Sequence, residues 1–164
     1  MTACRCRHRG PRTTVGAILR AELPASPASA RDARSAIRRA LIAWGMDELA
    51  GDAELLVSEL VANAAEYADG DSIRLALRRE AAACGQRGIT CEVSDTSPVL
   101  PEVRAAGPEA ERGRGLAIVA ALATASGVGV SPHGKTSWFT LALSDRACRL
   151  ARPAGPEPEA EVNA

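Results

Sequence analysis

Apolar positions recur along the chain with two different periods. Ala33, Ile37, Ala40, Leu41 and Trp44 return every three or four residues, the spacing of one helix face, over about 30–44. Gly45 breaks that run, and a second helix is expected from about Glu48 to Ala68, closed by Asp69-Gly70-Asp71. Past this turn the period drops to two. Ile73, Leu75 and Leu77 alternate with Arg74, Ala76 and Arg78 as in a half-buried strand, and Ile89, Cys91 and Val93 read as its hairpin partner beyond a turn at Gly85 to Gly88. Val15 to Leu23 reads as a first strand, ended by Pro24 and Pro27, with Ser29 placed to cap the first helix. A long loop containing Pro98, Pro101, Gly107 and Pro108 follows Asp95. Gly113-Arg114-Gly115 then opens a third helix, Leu116 to about Thr124, and two last strands are expected at Gly127 to Val130 and Thr136 to Leu143. Strand, two helices, hairpin, helix and hairpin predict an α+β fold, a two-layer sandwich in which a mostly antiparallel mixed sheet carries its helices on one face.

Composition narrows the function classes. The chain has 164 residues, enough for one domain, expected at 15–145 between a basic arm at 1–14 and a flexible Pro- and Glu-rich tail at 146–164. A formal net charge of zero gives no general attraction for nucleic acid or an anionic membrane, so neither is expected as a partner. The five cysteines are odd in number, scattered, and lack Cys-x-x-Cys spacing, which points to reduced thiols and a cytoplasmic location. Cys84 and Cys91 are placed to face each other across the hairpin, although plain buried thiols are the preferred reading. Cys4, Cys6 and His8 alternate too tightly for a zinc site. The arm has no continuous apolar segment of the signal-peptide kind, because Arg20 and Glu22 interrupt the apolar positions that follow it.

Two phosphate-binding patterns fail on context. Gly129 to Thr136 fits G-x-x-x-x-G-K-[ST], but that loop needs a helix directly after its Lys-Thr, whereas Ser137-Trp138-Phe139-Thr140-Leu141 is a strand sequence. Gly113-Arg114-Gly115-Leu116 lacks the third glycine of a dinucleotide fingerprint and follows a loop. A more informative row lies on the second helix. Glu59, Asn63 and Tyr67 are four residues apart and share one face of an otherwise apolar run. A carboxylate and a carboxamide oxygen one turn apart suit Mg²⁺, although polar residues facing water would show the same spacing.

Taken in order, Glu59 and Asn63 on a helix, Asp95 at a strand end, a glycine pair opening a helix and Gly134-Lys135-Thr136 on the final hairpin resemble the histidine-kinase-like ATPases of the Bergerat fold. They resemble most the small bacterial anti-sigma-factor serine/threonine kinases, over roughly Val15 to Leu143. The resemblance implies ATP and Mg²⁺ as cofactors. It makes Asn63 the Mg²⁺ ligand, Glu59 the catalytic base or water-orienting group, and Asp95 the acceptor for the adenine amino group. Arg112, Gly113, Arg114, Gly115 and Leu116 would form the phosphate-binding lid and helix start, and Thr136 would reach the adenine-side network. Lys135 is the single lysine; a phosphate contact and a solvated turn residue both fit it. For Arg112 beside the glycine pair a plain surface arginine is the preferred reading, with a phosphate contact as the alternative. Tyr67 stands where these kinases commonly carry His, Glu66 where a basic residue is common, and Ser97 where Asp-x-Gly has its glycine. The implied function is phosphorylation of a serine on an anti-sigma antagonist protein, with that protein or a sigma factor as partner; the oligomeric state is open between monomer and homodimer. The departures at Tyr67 and Glu66 favour a non-catalytic alternative, an ATP-binding module that sequesters its partner stoichiometrically. A P-loop nucleotidase is the weakest reading.

Overall fold

The computed structural model describes residues 13–68, 72–81, 86–97 and 114–143. The elements run β1 (Thr13–Pro24), α1 (Ser29–Ala43), a 3-10 turn (Asp47–Leu49), α2 (Ala50–Tyr67), β2 (Ser72–Ala81), β3 (Arg87–Asp95), α3 (Arg114–Leu122), β4 (Ala125–Ser131) and β5 (Gly134–Ala142). The strands form one five-stranded sheet in the order β1-β2-β3-β5-β4. Every pairing is antiparallel, so no parallel strand is present among the described residues. Of the expected arm at 1–14, residues 1–12 lie outside those residues, while Thr13 and Thr14 belong to β1. The tail at 146–164, the possibility of a Cys84–Cys91 contact, the turn at Asp69-Gly70-Asp71 and the loop from Pro98 to Gly113 also lie outside them.

The period-two pattern decides which sheet face is buried. Ile73, Leu75 and Leu77 of β2, Ile89, Cys91 and Val93 of β3, and Phe139 and Leu141 of β5 point to one side and are buried. Against them packs the apolar stripe of α2, Ala53, Leu56, Val57, Leu60, Val61 and Ala64, with Ala33, Ile37 and Leu41 of α1 completing the core. Burial in this layer pushes the pKa of the Cys91 thiol well above its ordinary value, with the Glu92 carboxylate adding to the effect. The opposite face stays half-exposed and polar. There Arg78 pairs with Glu92, a hydrogen bond that raises the arginine's pKa further, and Trp138 lies against Gly127.

Ser29 does not cap α1. Its hydroxyl donates to the Pro24 carbonyl at 2.7 Å, closing the turn out of β1, and Ala28 occupies the cap position without a side-chain bond. Gly45 ends α1 as expected: at φ +62° it takes the left-handed conformation, while the Met46 N–H reaches back to Leu41. Arg34 to Ser58 at 3.0 Å and Arg38 to Glu54 at 2.8 Å tie α1 to α2.

Candidate functional site

The site is built where the C-terminal part of α2 meets the ends of β3 and β5. Asp95 is the last residue of β3, and its position in the alternation turns it to the helix side, in line with Ile89, Cys91 and Val93. Lys135 stands directly opposite in register on β5. Its Nζ donates to Asp95 Oδ1 at 2.9 Å, and both side chains are only 1% exposed. The Ser97 N–H donates to the same oxygen at 2.9 Å, bending the chain as it leaves the strand. From α2, the Tyr67 ring sits with its centroid 5.6 Å from the Lys135 ammonium, close enough for a cation–π contact.

Gly134 makes this arrangement possible. It sits at φ +132°, and a Cβ there would run into the Asp95 carbonyl oxygen and the Thr96 Cα. Backbone therefore touches backbone at the point where β5 meets the end of β3. The segment from Gly129 to Thr136 is a hairpin turning at Pro132-His133, with strand and no helix after Lys135. The P-loop match is a coincidence of that hairpin.

Glu59 and Asn63, one turn apart on α2, are both half-buried, as is Tyr67 in the same row. The Glu59 carboxylate touches α3 at its second residue, Gly115, where a side chain would collide with Oε2. A carboxylate at a helix N-terminus is electrostatically favoured, and a glycine leaves room for it. The structure therefore sets Glu59 against Gly115, with Asn63 one turn further along α2, and brings together Asp95, Lys135 and Tyr67. Thr136 is not brought to the helix side: it faces the outer side of the sheet, where its hydroxyl bonds Ser94 Oγ at 2.8 Å. Lys135 is not the solvated turn residue that the sequence allowed, because its inward position on β5 buries it on Asp95. Arg112 and Gly113 lie outside the described residues, and Arg114 and Leu116 are described by backbone alone, as the first and third residues of α3.

Sequence reasoning missed the Asp95–Lys135 pair. A signal was available: Lys135, Ser137, Phe139 and Leu141 share one parity of a strand, and that parity is the buried one.

A model of the histidine kinase-like ATPase domain matches residues 23–141, well over half of the chain. The chain belongs to the histidine kinase-like ATPase domain family. The match takes in all of the elements from α1 to α3, and β5 almost to its end. The fold is also that of a crystal structure of the RsbU and RsbW domains of Rv1364c from Mycobacterium tuberculosis, at 24% identity and a TM-score of 0.56, covering 78% of this chain. This chain spans about a third of the length of that one, at 33%. No curated protein is similar enough in sequence to stand as a relative.

The residues present suit the groups the family uses. No cluster of three or more His, Cys, Asp or Glu that could hold a metal occurs among the described residues. Mg²⁺ does not need one, since it takes one or two protein oxygens and completes its shell with water and phosphate. Asn63, half-buried on α2, carries one oxygen of that kind, one turn after Glu59. No described helix is long and apolar enough to cross a membrane.

Proposed function

We propose that this histidine kinase-like ATPase domain is a cytoplasmic, ATP-binding protein kinase of the anti-sigma-factor type, transferring phosphate to a serine of an antagonist protein. The observation that carries the adenine site is Asp95, a carboxylate buried at a strand end with both of its hydrogen bonds among the described residues on one oxygen. A buried acceptor of this kind meets an exocyclic amino group and repels guanine's carbonyl. Gly113, Arg114, Gly115 and Leu116 would set backbone amides at the start of α3 toward phosphate, with Arg112 beside them. Asn63 would hold Mg²⁺, which when bound neutralises phosphate charge. Glu59 would accept the proton of the serine hydroxyl, and its contact with Gly115 fixes the carboxylate beside the helix that carries the phosphate-binding amides. An anti-sigma antagonist protein or a sigma factor is the proposed partner.

Asp95→Asn is expected to weaken ATP binding by about 1.5–3 kcal/mol, the worth of a charged hydrogen bond. The amide oxygen still accepts from Lys135, but the ammonium loses its counter-charge, so urea unfolding of the variant is measured beside it. Calorimetry with ATP and GTP checks this. Equal affinity of the wild-type chain for the two nucleotides would remove the adenine assignment.

Phosphotransfer is a separate matter. Tyr67 covers Lys135, whose ammonium is bonded to Asp95, and this favours the stoichiometric binder as the second reading. If the kinase reading holds, the isolated protein turns over ATP very slowly and gains rate only with a docked serine substrate. Glu59→Ala then abolishes transfer to the partner while ATP affinity stays within about tenfold. Transfer surviving in Glu59→Ala excludes this carboxylate as the base, and failure to phosphorylate any antagonist protein leaves the binder.

A further inference from the structure

The proposed kinase chemistry leaves Lys135 unused. It is the chain's single lysine, and its ammonium is buried with a side chain 1% exposed. As a mere strut it would be a poor choice, since a well-packed apolar pair serves stability as well as a buried ion pair or better. Its geometry has another use. Of the hydrogen bonds that Asp95 accepts among the described residues, those from Lys135 Nζ and the Ser97 N–H both end on Oδ1, and none ends on Oδ2. An ammonium carries three N–H donors; one goes to Oδ1, and the Tyr67 ring lies 5.6 Å away. The pair therefore offers an acceptor, Oδ2, beside a donor, Nζ.

We propose that Lys135 is a specificity-determining residue of the base site, its ammonium donating to N1 of an adenine whose exocyclic amino group donates to Asp95 Oδ2. This rests on the adenine reading given above. Adenine carries its amino donor and the N1 acceptor side by side on one edge, the complement of Oδ2 and Nζ. Guanine in the same pose sets a carbonyl against the carboxylate and an N1–H against the ammonium, so it is opposed at two points instead of one. Tyr67 and the short contact at Gly134 act as positioning elements, holding the lysine head on Oδ1 so that its remaining donors point along the base edge.

The test is a titration of the full chain, wild type and Lys135→Met, with ATP, with 1-deaza-ATP, in which N1 is a C–H, and with purine riboside triphosphate, which lacks the amino group. Losing N1 is expected to weaken binding about tenfold or more in the wild type, the range of a charge-assisted hydrogen bond, and less than twofold in Lys135→Met. Losing the amino group should weaken both proteins alike. An equal N1 penalty in the two proteins overturns the role of Lys135 and leaves the adenine reading standing. Absence of any amino-group penalty, or of ATP binding by the wild type, overturns both. Should Lys135→Met not fold, the wild type decides: a tenfold preference for ATP over 1-deaza-ATP supports the contact, and equal affinity overturns it.

Discussion

Lys135→Met is expected to destabilise the folded chain by about 3–5 kcal/mol, because removing one member of a buried ion pair strands the other charge. Asp95 would then keep only the Ser97 N–H among the hydrogen bonds that the described residues give it. The pair as a whole is a different matter. Two ions that give up their hydration recover it mostly from each other, so the double variant Asp95→Leu, Lys135→Met should regain most of the loss. Urea unfolding of the wild type, both single variants and the double variant measures the coupling. A cost below about 1 kcal/mol for Lys135→Met would mean that water reaches the pair and that the buried geometry does not describe the protein in solution.

Gly134→Ala should be nearly as damaging, at about 2–6 kcal/mol, from a backbone conformation that a side chain rarely adopts together with a collision that nothing can relieve by rotating. The atoms in the way, the Asp95 carbonyl oxygen and the Thr96 Cα, are main chain. Gly129→Ala is the control. It sits in the same hairpin with nothing within 4 Å of a Cβ, and its replacement should stay within about 0.5 kcal/mol. Comparable losses at the two glycines would contradict this account of the hairpin. The contrast also separates the two meanings of the Gly-x-x-x-x-Gly-Lys-Thr spacing. A phosphate loop would need both glycines for its anion cradle, whereas the hairpin needs only the second, for close approach of β5 to β3.

What the sequence revealed and what it hid follow from the range of the interactions involved. The strands and helices were legible because alternation at Ile73, Leu75 and Leu77 and the three-to-four spacing at Ala33, Ile37 and Leu41 are local statements about which face is buried. The stop at Gly45 was legible for the same reason. Ser29 was misread as a cap because a serine before a helix has two local acceptors for its hydroxyl, and the Pro24 carbonyl is a partner that only the folded turn presents. Lys135 was left open between a phosphate contact and a turn residue because its neighbours, Pro132, His133 and Gly134, look like a turn, while what buries it is a strand 40 residues earlier. Thr136 shows the complementary error. Its motif suggested the site side, but one residue along a strand reverses the face, and inward Lys135 leaves Thr136 pointing outward to Ser94.

The bond between Asp95 and Lys135 spans most of the distance from the middle of the chain to the last hairpin, and that spacing has a consequence for the order of folding. β1, β2 and β3 are neighbours in the sheet, with α1 and α2 in the connection between β1 and β2, so the helices can cover these strands once the chain has reached Asp95. The carboxylate at the end of β3 then waits at a sheet edge until β4 and β5 arrive, and closing that long loop is the slow, non-local step. The proposed base site would therefore be completed last, together with the C-terminal hairpin. A chain cut before Gly134 would lack Phe139, Leu141 and Leu143 of the core, leave the β3 edge unpaired and deprive Asp95 of its ammonium partner.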